Sequence, residues 1–178
     1  NTWSYQHVLP YFRRQESWEG GASAYRGGDG PLTTQYTRYE DPVLEAFAAA
    51  GQAAGYPATE DYNGAQQEGF CRWQMTIRNG RRCSAAVAYL RPALGRRNLT
   101  VETGALVTRI LIEGGRAVGV EYRRNGELFT RHAAREIILA GGVINSPQLL
   151  MLSGIGDPEE LGRHGIAVKA PLKGVGKN

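Results

Sequence analysis

Apolar and polar residues alternate most regularly between Asn98 and Arg135. Val118, Val120 and Tyr122 alternate with Gly119, Glu121 and Arg123, the period-two pattern of a strand with one buried face. Gly114-Gly115 and Asn125-Gly126 interrupt the run where tight turns belong, so the stretch predicts an antiparallel β-meander. The period changes in DPVLEAFAAAGQAAGYP. Val43, Leu44, Phe47 and Ala48 fall on one helical stripe. Asp41 is a good N-cap, Pro42 suits the first helical position, and Gly55 with Pro57 stops the helix. Gly51 inside it costs about 1 kcal/mol relative to Ala, which signals close packing at that point.

The remaining elements are shorter. Ser4 caps a helix expected to run to Leu9, with Pro10 opening a second turn over PYFRRQES. YRGGDGPL, Tyr25 to Leu32, reads as a glycine-rich loop. GFCRWQMTIRNGRRC reads as a strand and a turn at Asn79-Gly80. Ser84 then caps a helix, AAVAYLRPAL, broken at Pro92. EIILA, Glu136 to Ala140, is expected to be a short buried strand ending in Gly141-Gly142. A helix from Ser146 as N-cap and Pro147 at its first position should run to about Leu152, with Gly154 as a left-handed C-cap. Asp157 and Glu160 are spaced as a capping box for a last helix.

Composition narrows the class without naming a function. Of 178 residues, 42% are hydrophobic and 21% charged, which fits a globular chain rather than a disordered one. No run approaches the roughly 18 apolar residues of a membrane-spanning helix. The formal charge is +4, with arginine pairs at Arg13-Arg14, Arg81-Arg82, Arg96-Arg97 and Arg123-Arg124. These pairs are scattered and mixed with acids, the pattern of a solvated surface rather than of a nucleic-acid site. Cys71 and Cys83 fit no zinc or redox spacing and are expected to be ordinary reduced thiols. Asn1-Thr2-Trp3-Ser4 has neither an initiator Met nor a signal-peptide pattern.

The stretch with chemical content is EIILAGGVINSPQLLMLSGIG. A buried strand, a glycine turn and a helix N-terminus together form the crevice where α/β folds bind ligands. Free N–H groups and the positive end of the helix dipole suit anionic or polarised atoms. Glycine admits a flat group close to the backbone. From the residues alone, a well-capped helix after a core strand explains the same run.

Gly142, Ser146, Pro147, Leu149, Leu150, Ser153, Gly154, Ile155 and Gly156 resemble the second signature of the glucose–methanol–choline (GMC) flavin oxidoreductases. Val143 departs from it, standing where a small residue is usual. WSYQHVLPYFRRQE, GGDGPL, AGYPATEDYNGAQQEGF, RNGRRCSAAVAYLRPAL, NLTVETGALVTRIL, AVGVEY and GIAVKAPLKGVGKN extend the resemblance over nearly the whole chain, toward its choline-dehydrogenase-like members. His7 and Arg26 stand where an acidic residue and a histidine are common.

The resemblance implies a mixed α+β and α/β fold. It would comprise part of a Rossmann-like FAD-binding domain with a β-meander, and part of a GMC substrate-binding domain. The expected division is an N-terminal segment over 1–35, a partial substrate domain over 36–94 and a partial FAD domain over 95–178. FAD is the implied cofactor. The main chain at Val107 should meet its adenine, and Ala140, Gly141 and Gly142 should line it where Ser146 and Pro147 begin the adjoining helix. The implied reaction is oxidation of a small primary alcohol such as choline to an aldehyde by hydride transfer to flavin, with an unassigned electron acceptor.

No GxGxxG pyrophosphate motif is present, and the family's catalytic histidine lies in a later block. The chain is therefore expected to be an internal fragment, inactive alone and weak in holding FAD, with possible self-association through exposed strand edges. No residue here is assigned as catalytic or metal-binding. His7, His132 and His164 are expected in surface or capping roles, and Glu60, Asp61 and Glu68 are expected to face water. The compartment is open, with the cytoplasm or the periphery of the inner membrane expected. Two other readings stand beside this one. One is a stand-alone nucleotide- or protein-binding module without catalysis. The other is a sugar or aryl-alcohol oxidase of the same family.

Overall fold

The computed structural model describes residues 2–177; Asn1 and Asn178, the last position of the GVGKN resemblance, lie outside the described residues. The chain divides into two compact units, Asn1–Thr100 and Val101–Asn178.

The first unit begins with helix α1, Tyr5–Gln15. The sequence predicts a break at Pro10, but α1 runs through it as one helix. Proline there removes a single N–H, and the partner it frees is the carbonyl of Gln6, on an exposed residue that water can satisfy. Ser4 is the N-cap in position only: its hydroxyl meets His7 Nδ1 at 2.7 Å instead of a backbone N–H. Strand β1, Glu16–Trp18, follows directly and pairs in parallel with β2, Leu32–Tyr36. The Gly27 to Gly30 loop between them passes against the end of α1. A Cβ on Gly27 would lie 1.9 Å from the Arg13 carbonyl oxygen, so only glycine fits.

Helix α2, Pro42–Ala53, has the expected cap, with the Asp41 side chain accepting from Val43 N at 2.9 Å. Gly55 ends it in the left-handed region at φ 92°. The close approach expected at Gly51 is made by the Phe70 ring, which a Cβ there would meet at 2.3 Å. The apolar stripe is largely uncovered, however, with Val43 and Phe47 exposed. Short strands β3 (Gln74–Met75), β4 (Ile77–Arg78) and β5 (Arg81–Arg82) follow; β3 joins β2 antiparallel. β4 and β5 form a hairpin whose turn residues Asn79 and Gly80 have φ of 51° and 71°, as the asparagine–glycine pair predicts. Ser84 Oγ accepts from Val87 N at 3.3 Å and starts a π-helical turn, Ala86–Leu90, that passes into a short helix α3, Arg91–Ala93. The break expected at Pro92 thus takes the form of a widened turn before the proline. Cys71 and Cys83 are free, Cys83 fully buried.

The second unit is built on the predicted meander: β6 (Leu106–Glu113), β7 (Arg116–Arg124) and β8 (Glu127–His132), antiparallel in that order. Gly114, Gly115, Asn125 and Gly126 all have positive φ at the two turns. Ile110 and Tyr122 are buried at its centre, with Phe129 stacked on Tyr122 at 5.4 Å between ring centroids. Gly119 is buried as well, because β8 passes so close that a Cβ would lie 2.6 Å from the Arg131 carbonyl oxygen. Helix α4 (Gly142–Leu152) packs against β6. Strand β9 (Ile155–Gly156), helix α5 (Pro158–Arg163) and strand β10 (Ala170–Pro171) complete the unit; β9 and β10 pair in parallel. Asp157 caps α5 through Glu159 N at 3.0 Å. Glu160 does not close the box; it faces Arg163 and His164 instead.

Candidate functional site

The strand–turn–helix stretch is present in altered form. EIILA is not a strand: among the described residues it has no ladder partner, and Ile138 is 81% exposed. A short apolar strand forms only against neighbours that satisfy its backbone, and none lies beside it here. The helix also begins five residues earlier than predicted. Gly141 is its N-cap and Gly142 its first residue, at φ 87°, a conformation glycine adopts without strain. Ser146 and Pro147 therefore lie in the second turn of α4 rather than at its start. The carbonyl left without a partner by Pro147 belongs to Val143, which is 86% exposed and open to water.

This geometry leaves the turn accessible from Ala140 through Asn145, all of them exposed. No side chain caps α4, so the N–H groups of its first turn lack intrahelical partners and carry the positive end of the dipole. Nothing lies within 4 Å of where a Cβ of Gly142 would stand. The opposite end of α4 is pinned. Ser153, 4% exposed, accepts from Ile110 N at 2.8 Å and donates to the Leu149 carbonyl at 2.6 Å. Gly154, at φ 85°, closes the helix as predicted. Val107 lies on β6, paired with Tyr122, just before a register shift at Thr108. It is partly exposed. The second unit thus brings the open glycine turn and Val107 onto two elements that pack together. An uncapped helix start with free donors and no Cβ in the way fits the polar part of a dinucleotide cofactor.

The first unit holds a polar centre that the sequence reading missed. Arg26 is 4% exposed and lies over the Trp18 ring at 4.1 Å. Its Nε and Nη2 donate to the two Glu16 carboxylate oxygens at 2.9 and 2.7 Å. Its Nη1 donates to Asp61 at 2.6 Å and to the Gln74 side-chain oxygen at 2.8 Å. Asp61, expected to face water, is instead a partner of a buried charge. Burial alone would raise the Glu16 pKa, but donors from Arg26, Thr34 and Gly27 together hold it below its ordinary range. The same pairs keep Arg26 charged against its desolvation. Arg26, Glu16, Tyr25, Tyr62, Asn63 and Gln74 are among the residues lining a cavity of about 620 Å³. A larger cavity of about 990 Å³ lies between α2 and the 67–75 segment, walled by Tyr39, Phe47, Phe70 and Trp73 with Glu40 and Glu45 at its edge. The departure of Arg26 from the family pattern was the one available signal, and it did not identify partners up to 48 residues away.

His7 bonds Ser4, His132 ends β8, and His164 caps α5 within 3.4 Å of Glu160.

Residues 1–178 match the family described as GMC oxidoreductase. Over 176 residues the chain is 56% identical to the mitochondrial choline dehydrogenase of Homo sapiens, covering 99% of this chain and 30% of that protein. It is 52% identical to the oxygen-dependent choline dehydrogenase of Rhizobium johnstonii, covering 99% of this chain and 32% of that protein. Among solved structures, pyridoxine 4-oxidase from Mesorbium loti superposes with a TM-score of 0.86 at 31% identity, over 96% of this chain and 34% of that one. An FAD-dependent oxidoreductase from Chaetomium thermophilum gives 0.87 at 28% identity, over 97% and 32%. The chain thus spans about a third of the length of these relatives. It belongs to the GMC oxidoreductase family.

Proposed function

We propose that this chain is part of an FAD-dependent oxidoreductase acting on CH–OH donors, and that its alcohol is choline or a close analogue. The observation that carries this reading is the 56% identity to a choline dehydrogenase over 99% of the chain. The Val101–Asn178 unit is the part that meets FAD, and the Asn1–Thr100 unit belongs to the substrate side. FAD, when bound, supplies the hydride acceptor. Around it, the backbone of Ala140, Gly141 and Gly142 lines the cofactor. The first turn of α4 offers N–H donors to its polar atoms, with Ser146 and Pro147 holding the second turn in place. The main chain at Val107 meets the adenine. The residues in this chain bind and orient, and no base is assigned among its three histidines. The 178-residue chain alone is therefore expected to show no turnover.

The test uses protein containing this chain, loaded with FAD and kept free of oxygen. Addition of choline should bleach the oxidised-flavin absorbance, and betaine aldehyde should appear in equal amount. Bleaching by an aryl alcohol or a sugar but not by choline would replace the substrate assignment. Retention of FAD unchanged in Gly142→Val, where a β-branched residue must adopt a positive φ, would remove the glycine turn from the cofactor site.

A further inference from the structure

The two edges of the meander are unequal. β6 is irregular, with register shifts after Val107 and after Leu111. Its Ile110 N–H is taken by Ser153 Oγ, and α4 packs along it. Bulges and a covering helix are the usual protections of a sheet edge. β8 has neither. Its six residues pair with β7 in unbroken register from Glu127 to His132. It contains no lysine and no proline, the residues that commonly blunt an edge.

The orientation of the open groups follows from the ladder. Ala133 N donates to the Val118 carbonyl at 2.9 Å. Bonding alternates along an antiparallel pair, so Glu127, Phe129 and Arg131 turn their backbone groups to β7. Leu128, Thr130 and His132 turn theirs outward. Among the described residues no hydrogen bond reaches these outward groups. Leu128 is 57% exposed on the same strand.

We propose that this edge is completed by the β8 of a second copy of the chain, antiparallel, about a two-fold axis through Thr130. Only outward residues can exchange bonds, which restricts the register. Centring it on Thr130 sets Thr130 opposite Thr130 of the copy and Leu128 opposite His132. Phe129 then faces Arg131, and Glu127 lies diagonal to Arg131. Three cross-strand neighbours favour this register: a hydroxyl pair, an aromatic ring beside a guanidinium, and an acid diagonal to a base; no like charges stand directly opposite, and Arg131 meets its own copy only on the other diagonal. A two-fold axis requires such a self-complementary patch. The two meanders become one six-stranded sheet, and the interface is closed, so association stops at two. Six residues per edge make a small interface, so the dimer forms with rising concentration rather than permanently.

The register is tested by disulfide trapping in a Cys71→Ser background. Directly opposite residues of a bonded antiparallel pair lie about 5.5 Å apart between Cα atoms, within disulfide reach. Thr130→Cys should cross-link to a dimer on mild oxidation. Glu127→Cys should not, because its copy lies about 20 Å away along the strand. In sedimentation equilibrium, the protein's mean mass should rise with concentration from one chain toward two. Leu128→Lys should shift that rise to at least tenfold higher concentration, whereas Leu106→Lys on β6 should leave it in place. A monomer at every concentration overturns the proposal. So does cross-linking through Glu127→Cys but not Thr130→Cys, or a mass that climbs past two chains. Loss of the dimer in Leu106→Lys but not in Leu128→Lys would assign the interface to the other edge.

Discussion

The two units are held together by different means. In the Val101–Asn178 unit, neighbours in sequence are neighbours in space: β6, β7 and β8 follow one another through two-residue turns, and each ladder begins where its turn ends. A more distant tie joins Ser153 to Ile110, 43 residues apart in sequence. In the Asn1–Thr100 unit the strands are short and the helices keep much apolar surface in water. Its centre is an ion network joining residues 10, 35 and 48 positions apart in sequence. A sheet of local turns tolerates the loss of one side chain. A network around one buried charge does not, because its carboxylate partners are left without their cation.

The sharpest break of this contrast is Arg26→Met. Removing one member of a buried ion pair costs about 3–5 kcal/mol; here Glu16 and Asp61 both lose their cation, and Trp18 loses the group above its ring. Trp3, Trp18 and Trp73 all lie in the first unit, so tryptophan emission during urea unfolding reports that unit alone. The emission midpoint should drop sharply, while amide exchange along β6 to β8 stays slow. Equal loss of protection in both units would show that the network stabilises the whole chain rather than its own half.

The same network makes the first unit acid-sensitive. Glu16 is pushed upward by burial but held lower overall by its donors. A depressed folded pKa means that its contribution is complete above the unfolded carboxylate value. That contribution disappears as pH falls through the lower folded value. Urea midpoints read by tryptophan emission should therefore be flat near neutrality and fall in acid. Glu16→Gln should start lower at neutral pH and lose less on acidification. Parallel acid slopes for the two proteins would discard Glu16 as the origin.

What could be read in advance divides along the same line. The meander, the α2 cap and stop, the asparagine–glycine hairpin and the Gly154 cap each depend on residues a few positions apart, and the sequence specifies each in place. The pairing of β1 with β2 was not legible, because three residues after a helix carry no periodic signal and their partner lies across a glycine loop. Arg26 and Asp61 each look like surface charges until the fold joins them. The EIILA segment fails in the other direction. Its composition is that of a buried strand, but strand structure belongs to the pair and not to the segment, and no pair is formed. Pro10 and Pro147 teach a related caution. Each was read as a helix start, yet a helix passes through both, since the one carbonyl freed in each case sits on an exposed residue.

A milder test falls in the second unit. Ser153→Ala leaves the Ile110 N–H without its partner in a buried position, at a cost of roughly 1–3 kcal/mol. The loss should appear as faster amide exchange in β6 and at the end of α4, with tryptophan emission unmoved. Where FAD is bound, its retention should fall too, since α4 carries the glycine turn. Unchanged exchange in β6 would mean that the hydroxyl is replaced by water and the tie is dispensable.

The smallest effect separates local capping from tertiary support. Asp41→Ala removes the acceptor for Val43 N, and loss of such a cap costs about 1 kcal/mol. Helix α2 carries exposed Val43 and Phe47 and meets Phe70 at Gly51 and at Phe47, contacts that lie beyond its first turn. The first turn of α2 should fray in amide exchange while the emission midpoint, set by the Arg26 network, moves only slightly. A shift as large as that of Arg26→Met would mean that α2 nucleates the unit. The buried ion network would then follow from the helix instead of organising the residues around it.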